Sequence, residues 1–249
     1  LKKLDWKGYE VVLYSDTEVM GELGELPKNW SIKVLRWPPK RLWTQLRLSF
    51  EILFHPPDLL FIPAHVLPLV LPKKSVMTIH DIAAVKFPDS YNWFERWFSV
   101  WSSGRAMKTC YSVFNPSEFT KQELLKKFGG KSEKIYVTQL GYDQSFYQIQ
   151  KDSSLIQKKL QGAQYMLNIG RKEEKKNTKR IVEAFDLVKK EHPELKLVLV
   201  GKPGHGYEQV KKAILNSPYK SDIIELGWTN PDELKQILAY AKAFIFPSL

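Results

Sequence analysis

Short apolar runs alternate along this chain with longer stretches in which apolar residues recur every three or four positions. The runs at 10–14, 32–35, 59–62, 76–80, 109–114 and 135–138 read as strands, as do those at 165–169, 195–200, 223–226 and 243–246. Several are apolar at nearly every position, the pattern of strands covered on both faces. Helical spacing appears at 41–54, 93–107, 118–128, 178–191, 207–215 and 231–242. Strand and helix in regular alternation predict an α/β protein with parallel sheets. Punctuation agrees. Asn230 caps a helix that begins at Pro231, with Asp232 and Glu233 at the positive end of its dipole. Ser117 caps another, which Gly129 and Gly130 stop. After Asn177, residues Ile181, Ala184, Phe185 and Val188 share one apolar face.

A polar stretch studded with Gln144, Gln148, Gln150, Gln157, Gln161 and Gln164 separates two strand patterns. It divides the chain into a domain at 1–140, a connection at 141–163 with room for a short helix, and a domain at 164–249. Seven of the eight tryptophans fall within the first 101 residues, so the halves also differ in aromatic content.

Composition narrows the class. The 249 residues are 43% hydrophobic and 26% charged, which is ordinary for a globular protein. No apolar run approaches the ~20 residues of a membrane span. The single cysteine, Cys110, excludes an internal disulfide and a cysteine-built zinc cage. The net charge of +11 suggests an anionic partner. It is spread evenly: residues 1–140 carry 20 basic and 14 acidic side chains. No basic arm or nucleic-acid motif stands out, so a nucleic-acid-binding protein is a disfavoured reading. One local excess remains, with Lys28, Lys33, Arg36, Lys40, Arg41 and Arg47 uninterrupted by any acid.

The segment richest in chemistry is Asn168-Ile169-Gly170-Arg171-Lys172-Glu173-Glu174-Lys175-Lys176-Asn177. A strand ends, Gly170 permits a tight turn, and a cationic loop leads into a capped helix. Arg171 can fork onto phosphate oxygens, Lys176 adds a point charge, and the helix N-terminus adds positive potential. This outlines a diphosphate site without being a P-loop or a GxGxxG. Taken alone, the segment reads more readily as a solvated basic loop.

The order of motifs along the rest of the chain shifts that balance. A strand ends at Val200-Gly201. Leu226-Gly227-Trp228 then precedes Glu233-Leu234, and the chain closes on Phe246-Pro247-Ser248. In the first half, Thr78-Ile79-His80-Asp81 is followed by Phe87-Pro88, then Ser117-Glu118-Phe119-Thr120 and Gly141-Tyr142-Asp143. In this order the motifs resemble a family 4 glycosyltransferase, of the glycosyl transferase group 1 type, over residues 10–249. The resemblance implies a GT-B fold: two Rossmann-like domains with parallel sheets facing across a cleft. It implies transfer of a hexose from a nucleotide-sugar to a glycan or lipid-linked acceptor, with retention of anomeric configuration. No metal or cofactor is implied, the nucleotide-sugar being a co-substrate. Arg171 and Lys176 would bind the donor diphosphate, taking the place of a divalent ion. Gly170 and Gly201 would let backbone approach the nucleotide, and Trp228 would lie near the base. His80 would act near the transferred sugar. By position alone His80 is a satisfied core histidine, yet the end of a parallel strand is where ligands gather. Asp81 would orient His80 or cap the next turn. The His-Asp and Phe-Pro-Ser segments lean toward GDP-mannose over UDP-sugars. The resemblance also implies a cytoplasmic protein, able to lie on the inner face of a membrane.

Expectations at the ends come from the same resemblance. The family's first strand and glycine-rich loop would precede Leu1, and its paired glutamates would come after Leu249. Both domains are thus expected to be incomplete and the 249-residue chain to be inactive by itself. A non-catalytic GT-B nucleotide-binding module is the alternative. Arg36, Trp37, Lys40, Arg41 and Trp43 combine cations with aromatic rings, as a membrane or acceptor surface would. A structural helix packing Leu42, Leu46, Ile52 and Leu53 is the plainer reading. Trp93, Phe94, Trp97, Phe98 and Trp101 follow helical spacing that packing would mostly explain.

Overall fold

The computed structural model describes residues 4–19, 26–38, 41–64, 66–142, 144 and 152–249. The chain divides into two compact units, Leu1–Leu140 and Gly141–Leu249.

In the first unit β1 (Val11–Ser15) and β2 (Trp30–Val34) pair in parallel. A π-helical turn at Trp43–Arg47 runs into α1 (Leu48–Phe54). There follow β3 (Leu60–Ile62), β4 (Ser75–Thr78), the short α2 (Ala83–Lys86), α3 (Trp93–Thr109), β5 (Ser112–Asn115), α4 (Glu118–Phe128) and β6 (Ile135–Val137). The strands β3 to β6 form a parallel sheet in chain order. Leu35, Ile52, Leu67, Met77, Ile79 and Leu124 centre a single core cluster.

The π turn alters what α1 buries. Such a turn holds one residue more than an α turn and rotates everything after it. Leu42 and Leu53, expected inside, are exposed; Gln45, Leu48, Ser49 and Ile52 are buried instead. Glu51 is buried on the same face and gathers two cations and a histidine ring. Lys33 of β2 bonds it, the His55 ring lies 3.1 Å away and Arg47 3.5 Å. Burial pushes this carboxyl upward, but these cations outweigh it and hold the group below the usual carboxylate range. The cluster ties β2 to α1.

Helix α3 packs through its second half, where Ser102, Ser103, Ala106 and Met107 are buried. Packing does not absorb its aromatic first half: Trp93 is 77% exposed, and Phe94 and Trp97 are exposed too. These rings stack on one another, with Trp97 and Trp101 centroids 6.2 Å apart and Phe94 and Phe98 6.1 Å apart.

The second unit begins with α5 (Ser154–Leu160), within the stretch read as a connection; Ile156 and Leu160 bury into this unit's core. Residues 145–151 of that stretch lie outside the described residues. Then come β7 (Tyr165–Ile169), α6 (Thr178–Glu191), β8 (Lys196–Val200), α7 (Tyr207–Asn216), β9 (Ile223–Leu226), α8 (Pro231–Tyr240) and β10 (Ala243–Phe244). All pairings are parallel, in the order β10-β7-β8-β9. The sheet is covered on both faces. Tyr165, Leu167, Val198 and Val200 meet α5 and α8 on one side. Leu197, Leu199 and Ile223 meet Ile181, Val182 and Phe185 of α6 on the other. This is the period-two split of a strand buried on both sides, each large side chain contributing about 1.5–3 kcal/mol. Ala184, expected on the buried face of α6, is exposed, and Val182 takes its place. Tyr165 is fully enclosed; its hydroxyl donates to the Ile237 carbonyl at 2.6 Å, and burial pushes its phenol up to about 12.

Candidate functional site

The strand order of the second unit determines where a ligand can sit. From β7 the chain moves outward to β8 and β9, then crosses back to place β10 on the other side of β7. In open parallel sheets the crevice beyond the strand ends at such a reversal is the binding position. Two segments emerge there. The loop after β7 carries Gly170, Arg171 and Lys176; the segment after β10 carries Phe246, Pro247 and Ser248. They are joined by the Leu249 amide donating to the Lys175 carbonyl at 3.0 Å. Beneath them the Asn168 side-chain amide donates to the Ile245 carbonyl at 2.8 Å.

Glycine makes the strand ends close-packed. The Gly170 amide donates to Val200 at 2.9 Å, and Gly201 has a φ of +137°. A Cβ on Gly201 would stand 2.0 Å from the Gly170 carbonyl oxygen, so only glycine fits. The guanidinium of Arg171 is exposed, and among the described residues it has no ion pair. Lys176 is half-buried, with its ammonium 4.7 Å from the centre of the Phe246 ring. Asn177 departs from the expected cap. It is left-handed at φ 58° and its side chain makes no capping bond, so α6 begins without one. Trp228 follows β9 and is largely exposed. Gly170, Arg171, Lys176, Gly201 and Trp228 therefore all lie at strand C-terminal ends within one unit.

Two residues of this loop escape a reading of the sequence. Lys172 and Glu173 are 4% and 3% exposed, although they directly follow an exposed arginine in a surface loop. Lys172 reaches Glu225 of β9 at 2.6 Å. The Tyr207 hydroxyl donates to the same carboxylate at 3.1 Å. A lone acid inside the apolar run Ile223-Ile224-Glu225-Leu226 is the available signal, since a carboxylate there can receive a cation that a neighbouring loop buries. The loop after β8 fastens to the same stretch. Lys172 donates its amide to Lys202 and accepts from Gly204, while Glu174 donates to His205. Gly204 lies so near Glu173 that a Cβ would fall 2.5 Å from its carboxylate.

In the first unit His80 follows β4 at the C-terminal end of its sheet and is half-buried. Its Nε2 lies 3.0 Å from the Pro63 carbonyl. A carbonyl only accepts, so Nε2 carries the hydrogen, which fixes this end of the ring. Asp81 caps the following turn through the Ala83 amide at 2.8 Å. The basic aromatic segment is partly structural. Trp43 packs on the core and donates its indole N–H to Leu35 at 2.7 Å. Trp37 donates to Arg41 at 3.0 Å, and Arg36 faces Glu18 at 3.7 Å on the surface. Lys40, Asp143 and His65 lie outside the described residues.

Residues 1–146 match the family model described as Glycosyltransferase Family 4, and residues 150–249 match Glycosyl transferases group 1. O-antigen chain mannosyltransferase B of Escherichia coli is 22% identical over 215 residues, which cover 85% of this chain and 54% of that protein. Among solved structures, HepE of Anabaena in complex with UDP-glucose aligns at a TM-score of 0.62 and 16% identity, over 87% of this chain and 60% of its own. Sucrose-phosphate synthase of Thermosynechococcus elongatus aligns at 0.65 and 14%, over 97% and 66%. The chain thus spans about half the length of the curated relative it matches. The structural likenesses establish a GT-B type of α/β fold. With its first 146 residues matched, more than half its length, the chain belongs to glycosyltransferase family 4.

Proposed function

We propose that this chain serves a hexosyltransferase that moves a sugar from a nucleotide-sugar donor to a glycan or lipid-linked acceptor. The observation that carries the reading is Arg171, exposed and without an ion pair among the described residues, beside Gly170 at the strand reversal of the second unit. There Arg171 and Lys176 bind the donor diphosphate and stabilise the departing nucleotide, so that no metal ion is needed. Gly170 and Gly201 keep the backbone bare where the nucleotide approaches, and Trp228 flanks the base. His80 serves the transferred sugar from the acceptor-side unit, and transfer retains the anomeric configuration. GDP-mannose is the favoured donor, supported by likeness to a mannosyltransferase; UDP-sugars are the alternative, supported by likeness to a protein solved with UDP-glucose. An even spread of basic residues argues against nucleic acid as the anionic partner.

Binding of GDP, UDP, GMP and UMP to the chain, measured by calorimetry in EDTA, tests this. Diphosphates should bind at least about tenfold tighter than monophosphates, or about 1.4 kcal/mol. Equal affinities would overturn the site, and loss of binding in EDTA would overturn metal independence.

No described helix is long and apolar enough to cross a membrane. We infer that the first unit lies peripherally on an anionic inner membrane face, supported by exposed Arg36, Arg41 and the rings of Trp93, Phe94 and Trp97. Sedimentation with phosphatidylglycerol vesicles should pull the chain down, and Trp97→Ala combined with Trp93→Ala should release it. Equal pelleting with zwitterionic vesicles would count against the charge component.

A further inference from the structure

Two buried charges within a surface loop call for a physical reason. Withdrawing a lysine and a glutamate from water is costly unless each is paired. Lys172 and Glu173 nevertheless sit between Arg171 and Lys176, the two cations read as diphosphate ligands. Lys172 is held on three sides. Its ammonium bonds Glu225 Oε1 at 2.6 Å and stands 5.4 Å from the centre of the Tyr207 ring. Its backbone exchanges bonds with Lys202 and Gly204. The Tyr207 hydroxyl closes the set on Glu225, at 3.1 and 3.2 Å from the two oxygens. These residues come from three elements: the loop after β7, the strand β9 and the first turn of α7.

We propose that Lys172, Glu225 and Tyr207 are positioning residues that lock the loop in the conformation from which Arg171 is aimed at the donor diphosphate. The proposal rests on the reading of that loop as the diphosphate site. Arg171 makes no ion pair of its own among the described residues, so its backbone must aim it. Its neighbour in sequence is firmly tied to two other elements. The Lys172–Glu225 pair fixes the distance of the loop from β9, and Tyr207 fixes the carboxylate that receives it. Misplacement of a binding group by about 1 Å is enough to cost a large factor in recognition. Exposed Arg171 and buried Lys172 are thus one device, the second holding the first.

The test is diphosphate selectivity, the affinity for GDP or UDP divided by that for GMP or UMP. A merely structural role would weaken both nucleotides together and leave the ratio alone. Lys172→Met keeps the stem and removes the charge, leaving Glu225 within reach of water. It should lower the ratio about tenfold, and Tyr207→Phe, which deletes only a hydroxyl, about threefold. Arg171→Ala is the reference. If the unsubstituted chain shows no selectivity, the diphosphate reading falls and this proposal with it. If selectivity is present and vanishes in Arg171→Ala but survives in folded Lys172→Met and Tyr207→Phe, the site stands and the positioning role is overturned. Should Lys172→Met fail to fold, Tyr207→Phe decides alone, an unchanged ratio overturning the proposal.

Discussion

Gly201→Ala is expected to be the most damaging single-methyl change in the second unit. The new Cβ would lie 2.0 Å from the Gly170 oxygen and 2.7 Å from its carbonyl carbon. Both are backbone atoms, so no side chain can swing away. Relief requires the ends of β7 and β8 to part, which breaks the Gly170-to-Val200 bond of 2.9 Å, and any shift of Gly201 also pulls on its bond of 3.0 Å to Leu226 of β9. The backbone angle adds to this, because φ at +137° is one that residues with a Cβ rarely adopt. Strain of about 1–2 kcal/mol and overpacking of about 1–3 kcal/mol give a loss of about 2–5 kcal/mol. That is a large share of the roughly 5–15 kcal/mol by which a domain is stable, and it lowers the melting temperature by about 20 °C. Nucleotide binding goes with it, because the parted strand ends are those that carry the loop. Gly227→Ala is the control. Its Cβ meets nothing within 4 Å, so its effect stays within about 0.5 kcal/mol. Circular-dichroism melts of the two variants settle the matter. A Gly201→Ala melt within about 2 °C of the control would contradict the close approach of the two strand ends.

The same strand ends show how far sequence carries. Tyr165–Ile169, inside its sheet, and Ile223–Leu226, at its edge, are strands at the predicted bounds, because a short apolar run is a local signal. Ser117 and Asn230 cap their helices as expected, accepting from Thr120 at 3.2 Å and Glu233 at 2.9 Å, since capping is local chemistry. Strand order is not local. That β10 returns to pair with β7 requires a crossover past two other strands, and no residue of Ala243–Phe244 announces it. Phase errors arise where a turn breaks the period. The π turn at Trp43–Arg47 rotates α1, and a helical wheel drawn through it misplaces Leu42 and Leu53. Lys172 is hidden by its company. Among Arg171, Lys175 and Lys176 it looks like one more solvated cation, and only the three-dimensional approach of Glu225 draws it inside. Of the residues expected at the donor site, the conformational ones are the most legible, because the need for glycine at 170 and 201 is written in strand-end position. Arg171 is legible as chemistry, while the support that aims it is not.

Arg171→Ala should remove most of the preference for diphosphates over monophosphates. A guanidinium meeting a phosphate makes two parallel charge-assisted bonds, each stronger than a neutral one. Arg171 is exposed before the ligand arrives, which limits the gain to about 2 kcal/mol, or about thirtyfold in affinity for GDP or UDP. The monophosphates, lacking the second phosphate, should lose less than about threefold. Lys176→Ala should cost less, about fivefold, because a single ammonium on a flexible stem offers no fork and already rests against the Phe246 ring. Ionic strength separates this from a diffuse field. At about 0.1 M salt, charges further apart than about 10 Å are screened, whereas a contact pair is affected much less. The unsubstituted chain should therefore keep most of its diphosphate selectivity as salt rises, and Arg171→Ala should have little left to lose. Arg171→Lys is the sharpest comparison, since it keeps the charge and deletes the fork. It should fall between the other two. If it binds diphosphates as well as arginine does, the loop acts only as a patch of positive charge, and the solvated basic loop that its sequence first suggests is the correct description.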